Sequence, residues 1–376
     1  MEYVQERVTT LHDFGDARPS APTDEAAVVV PMTEREHAGL AAERVLSALE
    51  TVDPGRVVVP LRASADRIDA VIEWLSEFDL SLEVLWCDGD RLGSLLSSAG
   101  LDGARGKGRD VWLAFGIAAQ SEYVVVHDAD AKTYDERHVP KLLFPLAQGM
   151  SFSKGYYARV ENDRLYGRLF RLLYRPLIDA LSRASEAAVL GFLGAFRYAL
   201  AGEFALTGRT AERVRMQRGW GLEVGTLGEA FRLAGADGTA QVDLGVHEHD
   251  HRSVSGPSGL SEMSRQVAAA LFRAVEENGL DPDYATVADR YRRGAERLVD
   301  AYALDAAFNG LEYDRSGERE QIGTYADAIE PPGADTRLPA WTNAAVTPEE
   351  VVDAAVSDLE AATSGRADDV APLRSP

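Results

Sequence analysis

A chain of 376 residues with a net charge of −22 lacks the basic footprint that nucleic-acid binding requires. No run approaches the ~20 apolar residues of a membrane span, and Met1-Glu2-Tyr3-Val4-Gln5-Glu6-Arg7 lacks the basic-then-apolar order of a signal peptide. The one cysteine, Cys87, excludes an internal disulfide and reads as a buried structural thiol, so a cytoplasmic location is expected. Residues 1–25 are polar, carry Pro19 and Pro22, and read as a flexible lead-in. Ala26–Val30 is a β-branched run that ends at Pro31, and Arg56–Leu61 repeats the pattern with Pro60. Helical spacing marks 35–51 and 65–78, and Leu82–Cys87 is a third strand. Residues 89–99 and 109–119 read as helices separated by the glycine-rich stretch 100–108, and Val124-Val125-Val126 is a further buried strand.

Strands alternating with helices predict an α/β fold with a parallel sheet, whose site lies beyond the carboxyl ends of the strands. No Gly-x-Gly-x-x-Gly or P-loop pattern follows the first strand, which disfavours a dinucleotide or P-loop site. The second half is mixed. Residues 164–183 read as an apolar, arginine-studded helix, 191–206 as strand and turn, 226–235 as a helix, and 241–246 as a short strand. Amphipathic helices are predicted over 261–276 and 285–305, offering a surface for a homodimer. From about 308 the chain is acidic and proline-rich, with a closing helix over 344–363 and a last dozen residues that read as disordered.

The charge has a pattern. Acid is spread along the chain, and Lys107, Lys132, Lys141 and Lys154 are its only lysines. Diffuse acid with little lysine suggests adaptation to high salt, where screening weakens self-repulsion. All four lysines flank one segment, His127-Asp128-Ala129-Asp130, at the end of the Val124–Val126 strand. Alternate side chains of a strand share a face, so Asp128 and Asp130 are placed to hold one hard cation and, through it, a diphosphate. An Asp-rich turn is the competing reading.

Three further stretches carry chemistry. His247-Glu248-His249-Asp250-His251 sets histidines at alternate positions, and one of them joining two aspartates suits Mg²⁺ or Mn²⁺ better than zinc. A solvated loop is the plainer account of His247 and His251. Gly219-Trp220-Gly221-Leu222-Glu223-Val224-Gly225 offers close backbone approach, a flat indole face at Trp220 for a sugar or base, and an acid, Glu223. A helix start with Glu in its first turn is the plainer account of the same residues. Gly106-Lys107-Gly108 places an ammonium between backbone amides able to hold phosphate, or forms a surface turn.

The order of these motifs resembles that of the glucosyl-3-phosphoglycerate synthase family, retaining glycosyltransferases of GT-A fold. The resemblance covers about residues 26–275. It adds His138-Val139-Pro140-Lys141-Leu142, Lys154-Gly155-Tyr156-Tyr157, Arg175-Pro176-Leu177, Gly202-Glu203-Phe204, Gln241–His249 and Met263-Ser264-Arg265-Gln266. It implies a Rossmann-like mixed sheet flanked by helices, with a nucleotide-sugar-binding half over 26–150, an acceptor-binding and catalytic half over 151–260, and a helical extension with an acidic tail over 261–376. It also implies roles. Pro31, Met32, Thr33 and Glu34 line the nucleotide pocket, and Lys107 contacts the nucleotide or its phosphates. Asp128 and Asp130 hold nucleotide and diphosphate. Asp130 and His249 bind a divalent Mg²⁺ or Mn²⁺. Glu223 lies at the transferred sugar as the catalytic candidate. Lys154, Tyr156, Gly167, Arg168 and Trp220 contact substrate. The implied donor is UDP-glucose and the implied acceptor 3-phosphoglycerate, a step in making a compatible solute.

Two departures bear on the acceptor. Tyr166-Gly167-Arg168-Leu169-Phe170-Arg171 has Phe170 where the family pattern has Thr, with Arg171 as a compensating candidate. Arg197-Tyr198-Ala199-Leu200-Ala201 lacks the family's Gln-Pro before Gly202. These leave a GT-A transferase with another acceptor as the alternative. A nucleotidyltransferase also pairs aspartates around Mg²⁺, but would carry a glycine-rich basic loop after the first strand.

Overall fold

A computed structural model describes residues 4–250 and 257–363. His251 and the last dozen residues of the chain lie outside the described residues. The strands in chain order are β1 (Thr9–Leu11), β2 (Ala26–Val29), β3 (Met32–Thr33), β4 (Arg56–Arg62), β5 (Leu82–Trp86), β6 (Tyr123–Val126), β7 (Phe152–Ala158), β8 (Val160–Glu161), β9 (Arg164–Leu165), β10 (Phe204–Thr207) and β11 (Thr239–Val246). β8 and β9 form a small hairpin, and the rest build one nine-stranded sheet in the order β1-β11-β7-β10-β6-β2-β4-β3, with β5 on β4. β10 alone runs against its neighbours, β6 and β7; every other pairing in this sheet is parallel. The sheet is thus mixed, with helices on both faces.

The apolar runs behave as a doubly covered sheet demands. Ala27, Val29, Val124 and Val126 enter one core cluster, and Ala26, Val28, Val30 and Val125 enter the other. Period-two alternation therefore sorts one unbroken Val/Ala run onto two faces. Helix Lys107–Ala118 packs in the first core and is buried from Gly108 to Ala118. Helices Leu40–Val52, Ile68–Leu75 and His138–Ala147 cover the other face.

The C-terminal extension returns to the first half. Asp358 of helix Pro348–Ala362 accepts the N–H groups of Arg91 (3.0 Å) and Leu92 (2.9 Å), two of the free amides at the start of helix Asp90–Ser98. Trp341 stacks on Trp112 with ring centroids 4.2 Å apart.

Four sequence expectations are corrected. Residues 1–25 contain β1, held on β11 by the parallel ladder and by Gln241 Nε2 donating to the buried Thr10 hydroxyl (2.9 Å), while the Thr10 amide and carbonyl bond the Gln5 side chain. The stretch 164–183 is not one helix. It opens in the β8–β9 hairpin, winds as a π-helix over Leu169–Tyr174 and becomes α-helical over Arg175–Ser182. Residues 191–206 begin inside helix Ala188–Leu193 before reaching β10. The acidic region after 308 includes helix Arg315–Ala326, started by the Asp314 side chain accepting from the Gly317 amide.

Candidate active site

A cleft of about 1770 Å³ opens where β2 and β6 end and the chain turns outward through Pro31 and through Asp128-Ala129-Asp130. Asp128 and Asp130 both line it. The segment after β11 pairs with the segment after β6. The amide of Lys132 donates to Glu248 O (2.8 Å), that of Asp250 donates to Asp130 O (2.8 Å), and Ala131 bridges His249. This pairing sets His249 beside Asp130, with Nδ1 3.2 Å from Oδ1. One ligand atom each from Asp128, Asp130 and His249 lies within 4.8 Å of the others. The antiparallel β10 supplies the floor. Its lead-in residue Gly202 lies so close that a Cβ there would stand 2.2 Å from Asp128 Oδ2.

Lys107 opens the helix Lys107–Ala118, and its Nζ lies 2.5 Å from Asp128 Oδ1 and 3.1 Å from Glu223 Oε1. Burial works to discharge this ammonium, but Asp128 and Glu223 outweigh it and raise its pKa. Burial likewise works to protonate Asp128, while Lys107 and then His249 hold its carboxyl down to about 2. The glycines flanking Lys107 serve packing as well. A Cβ on Gly108 would stand 1.8 Å from the Gln217 carbonyl oxygen, so residues 217–218 can lie against the helix start only without one. Glu223 sits in the first turn of helix Leu222–Ala234, and Trp220, 48% exposed, stands at the rim with its amide on Gln266 Oε1 (2.8 Å). Cleft and helix start, the two accounts of the Gly219–Gly225 stretch, hold together.

Several candidates lie elsewhere. Pro31, Met32 and Thr33 line the cleft, but Glu34 does not: its carboxylate accepts from the Ser64 amide (2.9 Å) and hydroxyl (2.8 Å). Glu36 takes its place, accepting from Thr33 N–H and Oγ1, both at 2.6 Å. The Thr-x-x-Glu spacing of Thr33 and Glu36 was a readable signal for that turn. Lys154 is fully buried behind the cleft and donates to the Ala201 carbonyl (2.5 Å); burial brings its pKa down to about 8. Tyr156 lies on the same strand face, 3.0 Å from His12 Nδ1, and does not line the cleft. Its neighbour Tyr157, on the opposite face, does.

Behind the metal-ligand candidates lies a buried polar group not assigned a role from sequence. Glu203 is fully buried with His247 Nε2 3.8 Å from Oε1, and His247 stacks on Tyr157 at 4.1 Å. Burial, then Asp128, raises the Glu203 carboxyl, and burial takes His247 down to about 3. Of the alternating histidines, only His249 reaches the cleft among the described residues. His247 is packed inside, not solvated.

At the far end of the cleft, Gly167 (φ +77°) turns the chain so that Arg168 faces in, its Nε 3.5 Å from Glu318 Oε1. Phe170 turns away and is buried between Tyr174 and Tyr198. Arg171 does not compensate. It forms a buried fork on Glu318 (3.1 and 2.7 Å), 4.6 Å from the Tyr302 ring centroid.

A mixed sheet with two aspartates and a histidine at its strand ends, and an ammonium above them, is the GT-A arrangement of nucleotide-sugar transferases. Comparisons with known proteins narrow the class. No protein-family model matches the chain. It is 34% identical to the glucosyl-3-phosphoglycerate synthase of Methanococcoides burtonii, over 96% of this chain and 98% of that one. It is 32% identical to that of Persephonella marina, over 89% of each. Among solved structures, the Mycobacterium tuberculosis synthase in complex with Mn²⁺, UDP and phosphoglyceric acid shares the fold, with a TM-score of 0.54 and 24% identity over 73% of this chain and 88% of that one. The chain belongs to the glucosyl-3-phosphoglycerate synthase family.

Proposed function

We propose that this protein transfers glucose from UDP-glucose to 3-phosphoglycerate with retention of the anomeric configuration. The observation that carries the reading is the meeting of Asp128, Asp130 and His249 beneath Lys107. Two hard carboxylates and one imidazole, within 4.8 Å of one another, suit Mg²⁺ or Mn²⁺. Asp130 and His249 would hold that ion with Asp128 beside them, and when bound it supplies charge neutralisation for the departing diphosphate. Lys107 supplies a second positive charge to the same oxygens and tethers Glu223, whose free oxygen then orients a hydroxyl of the glucose. Pro31, Met32 and Thr33 bound the nucleotide, and Trp220 covers the sugar from the rim. The donor is handled by residues 26–150 and the acceptor by 151–260. Gly167 and Arg168 present a guanidinium to the acceptor phosphate. The mycobacterial relatives seen with UDP and Mn²⁺ or Mg²⁺ support this assignment.

The test is release of UDP from UDP-glucose with Mn²⁺ or Mg²⁺, with and without 3-phosphoglycerate. The expected result is release that requires the acceptor and is lost in Asp130→Ala. Absence of UDP-glucose binding would overturn the reading. One observation favours a second acceptor: Phe170 and Arg171 are both committed to the interior, so the phosphate cradle is thinner than the family pattern. Faster turnover with another small phosphorylated acceptor would select it.

We also propose that the enzyme works in the cytoplasm, at high ionic strength and as a homodimer. The −22 charge with four lysines supports the second point. The third is supported by Leu304 (72% exposed) and Phe308 (88%), one turn apart on helix Tyr284–Asn309. No helix among the described residues is long and apolar enough to cross a membrane.

A further inference from the structure

Away from the cleft, a groove of about 600 Å³ runs between helices Tyr284–Asn309 and Arg315–Ala326 and the end of helix Arg175–Ser182. Arg183, Arg290, Arg293, Arg297 and Arg319 line it, against two carboxylates, Glu296 and Asp300. Asp300 is committed, 3.0 Å from Arg319 and 3.9 Å from Arg315. Arg183, Arg290 and Arg293 make no ion pair with any described residue. On a chain with a net charge of −22, unpaired guanidiniums have abundant carboxylates to choose from. Gathering three of them in one groove costs mutual repulsion that the single carboxylate of Glu296 offsets only in part and a bound anion would relieve. A guanidinium presents a planar fork matched to phosphate, and three free forks exceed what one phosphate needs. The volume falls within the ~300–1,000 Å³ of small-molecule sites.

The groove is also wired to the acceptor end of the cleft. Arg319 follows Glu318, which holds Arg171 at 2.7 Å and stands 3.5 Å from Arg168. Arg183 follows the helix Arg175–Ser182, itself continuous with the π-helical turn Leu169–Tyr174 that carries Phe170 and Arg171. An anion that draws Arg319 and Arg183 together therefore acts on both ends of the segment that presents Arg168. We propose that this groove binds a small anion bearing two or more phosphate groups and, by doing so, sets the affinity of the cleft for its acceptor. The coupling rests on the transferase reading; the binding does not.

The experiment titrates pyrophosphate calorimetrically, with chelator present and salt held constant, into the wild type, Lys107→Ala and Arg183→Ala/Arg293→Ala. Saturable binding is expected in the wild type and in Lys107→Ala, with at least a ten-fold loss in the arginine variant. Acceptor KM in the wild type is expected to shift about five-fold with pyrophosphate, and not in the arginine variant, whose turnover without pyrophosphate matches the wild type. No saturable binding to the wild type overturns the proposal, as does binding that disappears in Lys107→Ala and persists in the arginine variant. An acceptor KM indifferent to bound pyrophosphate overturns the coupling. If the calorimetry succeeds while no donor is turned over, the transferase reading has failed and the site stands.

Discussion

The two ends of the cleft are built differently. At the end proposed for the donor, each candidate side chain sits within a few residues of a strand end or helix start: Pro31 after β2, Asp128 and Asp130 after β6, Lys107 at the first turn of its helix. At the end proposed for the acceptor, Arg171 lies on the π-helical turn and Arg168 just before it, and both charges are met by Glu318, far along the chain. The donor end is fixed by the sheet, whose strands are buried on both faces. The acceptor end is fixed by the C-terminal extension. On the proposed assignment, the donor site rests on the sheet and the acceptor site on a helix outside it.

The sharpest way to break this contrast is Asp130→Ala. Loss of a carboxylate opposite His249 is expected to cost several kcal/mol of transition-state stabilisation, about three orders of magnitude in turnover, with little change in thermal stability. Turnover within ten-fold of the wild type would remove Asp130 from the donor site.

Arg171→Ala is the matching test at the other end, and its effect should fall on stability. Glu318 is buried, and without Arg171 its carboxylate keeps only the Tyr313 hydroxyl and a distant Arg168. Removing one partner of a buried pair costs about 3–5 kcal/mol. Chemical denaturation should record a loss of about 3 kcal/mol or more, together with a raised acceptor KM and an unchanged donor KM. A rise in donor KM of the same size as the acceptor effect would show that the ends are not separable.

The same contrast explains what was legible. The pairing of Asp128 with Asp130 was readable because strand alternation is local: two residues at i and i+2 need no knowledge of the rest of the chain. The alternating α/β order was readable for the same reason. His249 stood out from its neighbouring histidines only through the family resemblance, since its place beside Asp130 depends on the pairing of Ala131 with His249. Glu203 was not readable, because its role depends on β10 being the one reversed strand, and a four-residue strand carries no sign of direction. Nor was the role of Arg171 readable, since no local pattern links it to Glu318. The resemblance puts Glu34 in the pocket and not Glu36, and only the turn that Glu36 closes on Thr33 reverses that choice. β1 escaped notice because three residues, Thr9–Leu11, are too short to show alternation.

Gly202→Ala probes the reversed strand directly. The added methyl would stand 2.2 Å from Asp128 Oδ2, so the carboxylate or β10 must shift. Overpacking of this kind costs about 1–3 kcal/mol. The expected outcome is Mn²⁺ binding and turnover both weakened by roughly ten- to a hundred-fold, with circular dichroism unchanged. Wild-type Mn²⁺ affinity would mean that Asp128 has room to move.

The smallest expected effect belongs to the sheet edge at β1. Asp13 follows this strand, and its carboxylate lies 2.6 Å from Lys141 Nζ. Burial works against its charge, but Lys141 and the N–H groups of Ala17 and Gly15 outweigh burial and take the carboxyl down to about 2 from 3.8. A carboxyl depressed in the folded chain adds stability above its unfolded pKa and loses it as pH falls toward the folded value. The tether should therefore add about 1–2 kcal/mol at pH 7, fading as pH drops from about 4 to about 2. Asp13→Asn should be less stable than the wild type by that amount at pH 7 and converge with it in acid, measured by denaturant unfolding at each pH. A gap that stays constant would assign the stabilisation to packing rather than charge, and β1 would then owe its place to the β11 ladder and the bond from Gln241 to Thr10 rather than to the Asp13 tether.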